Sequence, residues 1–448
     1  MTTGTVYADS SMTKQGDGSL KCAIIGAIAA FTAYFAMCAF RRPFMVLDFS
    51  GEYVGTGPIE LKTALVISQI FGYGLSKFLG ISACSQIRRQ QMWILLLCLI
   101  GMAQGALVML ATLPEKWKLM AMFLNGLPLG MIWGFMVRYL EGRRMSDLML
   151  SVLACSFILG SGVVKDVGRW WVKQDLFSEI WMPAVTGLCF LPPFLIAVYF
   201  LHRLPVPNAV DVTQRHERIP MTSADRRELL RAYYRTLIPA LAFYFLLTAY
   251  RDYRDLYVAQ IVKELGYDSV PAILTRIELP IAILVTSVLG LLTVIRASRT
   301  ALWAIYAVML SGMVTIGLAE FLFRTQVING MTFMVLTGLG AYLGYVPYNA
   351  VLFERFMAAT RARGNAVFGI YLADALGYGG SISLLLCKDM IFPDSSRLAF
   401  FQTCSNLISI IGAACLLLSA LFLRKDLRGS QSPSRQPEMQ SERKMASS

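Results

Sequence analysis

Twelve stretches of about 20 predominantly apolar residues follow one another along this chain, and no other feature limits its fold as much. A helix needs about 20 such residues to cross the hydrocarbon core of a bilayer. Inside that core every backbone N–H and C=O must be satisfied within the protein, and a helix does so within one segment. The runs lie at about 21–43, 61–84, 92–112, 118–138, 148–169, 182–202, 234–256, 271–294, 301–323, 329–353, 364–387 and 399–423. Charged residues are 15% of the 448, against about a quarter in soluble domains. The expected fold class is therefore all-α and polytopic, with 12 transmembrane helices.

The longest connection, about Arg203 to Arg235, separates the sixth run from the seventh. It carries seven arginines and no lysine. Within it, "TSADRRELL" opens like a capping box (Thr222, Asp225) on a short amphipathic helix. The chain reads as a polar tail (1–20), a six-helix bundle (21–202), a basic linker (203–233), a second six-helix bundle (234–423) and a polar tail (424–448). Lysine and arginine concentrate in alternate connections: Arg88 and Arg89, Arg138 to Arg144, the linker, Arg296 and Arg299, Arg355 to Arg363, and the tail. Positive charge is retained on the cytoplasmic side, so both termini are expected there, in a plasma (inner) membrane. Met1–Leu20 is polar and the first apolar run starts late, which predicts a retained helix and not a cleaved signal.

The same rule accounts for the net charge of +13 without nucleic acid. The nine cysteines include no C-x-x-C pair and read as small packing residues. The two histidines, His202 and His216, lie in or beside a basic loop, so no metal centre is expected. No phosphate-binding Walker pattern occurs, and the Ser-x-x-Lys spacing at Ser11–Lys14 falls in a polar tail. Neither an enzyme nor a bound cofactor is expected, and the chain reads as a monomer.

Charge inside hydrocarbon is costly and normally faces a partner or a water-filled cavity. Arg41 and Arg42 end the first run, and helix 2 carries Gln69, Tyr73 and Lys77 at i, i+4 and i+8, along one face. That stripe fits a helix lining a cavity, although Lys77 could instead snorkel to the surface. Helix 5 carries Lys165, Asp166 and Arg169, and helix 7 carries "TAYRDYRDLY" with Tyr250, Arg251, Asp252, Arg254 and Asp255. Glu278, Glu320 and Asp374 lie in runs 8, 9 and 11. Arginine clamps phosphate or carboxylate through its planar fork. Arginines of helices 1 and 7 would converge on one anion if the halves are pseudo-symmetric. The competing reading pairs Arg251 and Arg254 with Asp252 and Asp255. A helix 1 that runs past Pro43 to about Leu47 would place Arg41 inside the protein.

"NGLPLGMIWGFMVRYLEGRR" from Asn125 and "TGLGAYLGYVPYNAVLFERF" from Thr337 place Gly-Leu, a further glycine and a glutamate at similar offsets. They fall at equivalent positions of a 6+6 duplication, the parallel repeat of major facilitator transporters. "TAYFAMCAFRRPF" and "LKTALVISQIFGYGLSKFLG" resemble helices 1 and 2 of the organophosphate:phosphate antiporters of the major facilitator superfamily, the glycerol-3-phosphate and hexose-phosphate carriers. The matching residues are Arg41, Arg42 and Phe44, then Tyr73, Gly74, Ser76, Lys77 and Phe78. The resemblance implies a phosphate bound by Arg41 (or its neighbour Arg42) and Arg251, with Lys77 close by. As a whole the chain more closely resembles a family of bacterial membrane proteins related to that superfamily and without an assigned substrate. "AFRRPF", "NGLPLGM", "YLEGRR", "SGVVKDVGRW" and "TAYRDYRD" carry that likeness. Two departures stand out: no Asp lies between Ser76 and Gln91, where major facilitator proteins place one, and the antiporters lack the doubled "RDYRD".

The expected function is secondary active transport, by alternating access, of a small anionic organic solute, with an organophosphate exchanged for phosphate as the specific form. Arg41, Arg42, Arg251 and Lys77 would hold the anion, and Tyr34, Tyr73, Gln69 and Tyr250 would bond the rest. Two alternatives stay open. One is proton-coupled transport of another solute, with Glu278, Asp374 and Asp166 as proton carriers beside Lys165, since burial raises carboxylate pKa values. The other is a membrane sensor of the same fold that moves nothing.

Overall fold

In the computed structural model, residues 9–49, 51–140, 146–205, 223–360 and 366–429 are described. The helices are α1 (Asp9–Met37), α2 (Leu61–Gln86), α3 (Met92–Thr112), α4 (Glu115–Leu140), α5 (Ser146–Gln174) and α6 (Met182–Arg203). They are followed by α7 (Ser223–Glu264), α8 (Ile273–Val294), α9 (Ser298–Arg324), α10 (Gly330–Pro347), α11 (Ala366–Ile391) and α12 (Arg397–Gly429). After Pro347 a π-helical turn, Tyr348–Leu352, leads from α10 into a short helix, Phe353–Thr360. Each apolar run has become a helix, and among the described residues seven are long and apolar enough, by length and composition, to cross a membrane. Most of the linker (206–222), including Thr222 of the expected capping box, lies outside the described residues. So do 1–8, 141–145, 361–365 and 430–448, with Arg143, Arg144, Arg361 and Arg363.

Three helices depart from expectation, and one of them, α12, continues to Gly429, into the stretch read as a tail. α1 does not run on to Leu47. It stops at Met37 and gives way to 3-10 turns at Cys38–Phe40 and Pro43–Val46. Proline has no N–H to continue the ladder, and the N–H groups of Arg41 and Arg42 both donate to the Cys38 carbonyl at 3.1 and 2.9 Å. Phe40 and Phe44 are nonetheless fully buried on either side of the two arginines. Lys62 of α2, itself buried, donates to the Met45 and Leu47 carbonyls at 2.7 and 3.1 Å and so satisfies the broken end. α7 is longer than its apolar run at both ends. The short helix expected ahead of it forms its first turns, set off by non-helical backbone at Tyr233, and its charged "RDYRD" continues in helical form to Glu264.

The chain divides into two compact units. The first contains Met1–His216, Tyr253–Gly290 and Leu384–Phe400; the second contains Glu217–Asp252, Leu291–Ser383 and Phe401–Ser448. The division passes through α7 between Asp252 and Tyr253. In the first unit α2 and α4 cross backbone to backbone. A Cβ on Gly72 would strike the Phe123 carbonyl, and one on Gly126 the Gln69 carbonyl. In the second, a Cβ on Gly312 of α9 would lie 2.5 Å from the Gly340 carbonyl of α10, and the converse holds for Gly340. Small residues allow such approaches where lipid gives no hydrophobic drive to helix association. Gly126→Val is therefore expected to cost about 1–3 kcal/mol or more, as overpacking does, and to lower the melting temperature in detergent. Gly101→Ala, with no heavy atom within 4 Å of its added Cβ, should leave that temperature unchanged or raise it.

Candidate functional site

The break after α1 puts Arg41 against α2. Its guanidinium carbon lies 4.2 Å from the ring centroid of Tyr73, and the Lys77 ammonium lies 5.6 Å from the same ring. Tyr34, one helical stretch earlier, packs edge-on against Trp133 at 5.0 Å. Arg41 is half-buried. Its Nε is buried without a hydrogen-bond partner, and no carboxylate lies within ion-pair distance of it among the described residues. A guanidinium seated on an aromatic face keeps its edge for a ligand.

Gln69, on the same stripe of α2, is placed differently. It is buried and donates to Asn125 Oδ1 at 2.7 Å, while Asn125 donates to the Phe40 and Ala103 carbonyls at 3.0 Å each. That network ties the end of α1 to α2, α3 and α4. It is a packing device built from a residue that the sequence stripe alone assigned to solute.

Arg42 also differs from its neighbour. It forms an ion pair with Asp255 and donates to Ser161 Oγ at 3.3 Å. Asp255 also accepts from Lys165 at 2.7 Å and from Ser161 at 2.6 Å. Arg254 pairs with Glu278 at 2.7 Å, and both are at most 3% exposed. Asp166 accepts from the N–H and hydroxyl of Thr275, each at 2.7 Å. Glu278, Asp166 and Lys165 are thus joined to specific partners. The competing reading of helix 7 holds for Arg251, which pairs with Asp252 at 2.5 Å, and not for Arg254.

In the second unit the Arg251 guanidinium lies 3.6 Å from the Tyr345 ring centroid. Its partner Asp252 also accepts from Ser381 at 2.7 Å. Tyr244 stacks between Tyr345 and Tyr348, donates to Asp374 at 2.7 Å and accepts from Asn349 Nδ2 at 2.6 Å. Asn349 lies in the π-helical turn, a feature frequent at functional sites. Tyr250 instead packs flat on Phe401 and shares a hydrogen bond with Ser405 at 2.9 Å, fully buried. Tyr244, Tyr345 and Asn349 were not anticipated. The polar "YVPYN" inside an apolar run is the signal that could have flagged the last two.

A family model described as "Family of unknown function (DUF5690)" matches residues 43–426. No curated protein matches the sequence. Among solved structures, the nucleoside transporter NupG aligns with a TM-score of 0.59 at 13% identity, covering 90% of this chain and 99% of that one. A D-xylose-proton symporter aligns with a TM-score of 0.59 at 13% identity, over 92% and 99%. The xylose transporter XylE from E. coli, in a partially occluded inward open conformation, aligns with a TM-score of 0.57 at 11% identity, over 88% and 95%. These likenesses establish the fold: twelve long helices arranged as in these transporters, seven of them, among the described residues, long and apolar enough to cross a membrane.

Proposed function

We propose that this chain, which belongs to the family of unknown function DUF5690, is a secondary active transporter of a small anionic organic solute. The carrying observation is Arg41. It is a half-buried arginine on an aromatic face, beside Lys77 and, among the described residues, without a carboxylate at ion-pair distance. An arginine with no carboxylate at ion-pair distance among the described residues leaves positive charge that a solute anion can neutralise. Arg251, paired with Asp252 in this structure, is the candidate arginine of the second unit. An organophosphate exchanged for phosphate is the first anion to test, because Arg41, Tyr73 and Lys77 are the residues that resemble the organophosphate antiporters. Transport follows alternating access.

Purified protein in detergent is screened by thermal shift against phosphate, sugar phosphates, carboxylates and neutral sugars. A ligand stabilises the state it binds according to its concentration over Kd. A rise in melting temperature with an anion that disappears in Arg41→Ala supports the proposal. No rise with any anion, or an unchanged rise in Arg41→Ala, overturns it.

Proton-coupled transport is the second reading, favoured by the buried Asp374 and its Tyr244–Asn349 chain. Asp374→Asn would then abolish uptake driven by a pH gradient in liposomes while leaving solute exchange in place.

A further inference from the structure

α12 has 33 residues. At about 1.5 Å per residue it is about 50 Å long, well beyond the roughly 30 Å hydrocarbon core of a bilayer. Its apolar run stops at about 423, yet the helix goes on to Gly429. The extension is clasped from inside the second unit. Thr236 of α7 donates to Asp426 at 2.6 Å, Ser419 donates to the Thr236 carbonyl at 2.8 Å, and Arg299 of α9 donates to the Leu427 carbonyl at 3.4 Å. Leu423 and Leu427 are buried on the same side as these bonds.

The opposite face is open. Leu407, Ile410, Leu417 and Leu421 are each more than half exposed. They fall at i, i+3, i+10 and i+14, along one face. On a helix long and apolar enough to cross a membrane, acyl chains cover such a stripe. Arg424, Lys425 and Arg428 prolong it three, four and seven residues beyond Leu421, and all three are exposed. None of them forms an ion pair among the described residues. Asp426, the one carboxylate between 417 and 429, is turned inward to Thr236.

Like charges three and four residues apart on a helix repel each other. A loose tail would let them separate, but the clasped extension holds all three where hydrocarbon gives way to headgroups. Arginine and lysine at that depth attract anionic lipid, and both bind phosphate through charge-assisted hydrogen bonds. A soluble anion would make no use of the leucines below. A phospholipid places phosphate and acyl chain in the order that this face presents.

We propose that the outward face of the α12 end binds an anionic phospholipid, its phosphate on Arg424, Lys425 and Arg428 and its acyl chains on Leu417 and Leu421. In the orientation expected from the sequence this end lies in the cytoplasmic leaflet, which carries the anionic lipids. Bound there, the lipid stabilises the end of the second unit at which α7, α9 and α12 are joined. The site stands apart from Arg41 and does not rest on the solute reading.

The full chain in a nonionic detergent is titrated with phosphatidylglycerol, with phosphatidylcholine of the same acyl chains, and with inorganic phosphate, and melting is followed. Phosphatidylglycerol is expected to raise the melting temperature at mole fractions at which phosphatidylcholine does not. In Arg424→Gln/Lys425→Gln/Arg428→Gln the mole fraction giving half the rise should increase roughly tenfold or more. Without lipid that variant should melt like wild type, since the three side chains are exposed. Arg424→Lys/Arg428→Lys, which keeps the charges, should retain most of the response. Equal effects of the two lipids overturn the proposal, as does an unchanged response in the triple variant. A lower melting temperature of the triple variant without lipid, its lipid response intact, also overturns it and makes the three cations supports of the helix end. A rise with inorganic phosphate that the triple variant loses overturns the lipid assignment in favour of a soluble anion. A rise lost in Arg41→Ala instead belongs to the solute site, so the two readings fail separately.

Discussion

Arg41→Ala is expected to weaken binding of an anionic solute by roughly 30-fold or more, while Arg42→Ala changes it by less than about threefold. The two side chains are adjacent, and their surroundings set them apart. Arg42 is committed to Asp255 and Ser161, whereas Arg41 rests on the Tyr73 ring with no carboxylate at ion-pair distance among the described residues. Truncating one partner of a buried hydrogen-bonded charge pair costs about 2–5 kcal/mol, and each 1.4 kcal/mol is about a factor of ten in Kd. Arg41→Lys keeps the charge and loses the planar fork, so its affinity should fall between wild type and alanine. The measurement is an isothermal titration with inorganic phosphate and with a sugar phosphate at fixed ionic strength. Equal losses in the two alanine variants would show that Arg42 leaves Asp255 to hold solute.

That contrast marks how far the sequence alone could be read. The helices were legible because bilayer thickness fixes the length of an apolar run, and every run became a helix. The end of α1 was not, because the backbone around Arg41–Pro43 is satisfied in part from other helices, by Asn125 at the Phe40 carbonyl and by Lys62 at Met45 and Leu47. The seventh apolar run ends at about 256, yet α7 continues to Glu264, and the charges of "RDYRD" find partners far along the chain, Arg42 and Lys165 for Asp255 and Glu278 for Arg254. A pair between neighbours, Arg251 with Asp252, could be anticipated; pairs across many residues could not. The stripe Gln69–Tyr73–Lys77 had the right periodicity, but periodicity does not say which polar residue meets another helix. Asn125 decides that for Gln69.

Glu278→Leu should place the largest cost on the first unit, about 3–5 kcal/mol, since it leaves the Arg254 guanidinium buried without its carboxylate. Arg254 is 1% exposed, so water cannot replace the lost carboxylate inside the folded unit. The cost should appear as a lower melting temperature in detergent. Arg254→Met in the same chain removes the buried charge and puts apolar volume in its place. The double variant is therefore expected to recover most of the loss, since replacing both members of a buried pair by apolar residues is often neutral or stabilising. A double variant no more stable than Glu278→Leu alone would show that the cost comes from the packing of α8 against Gly162 of α5 and not from the buried guanidinium.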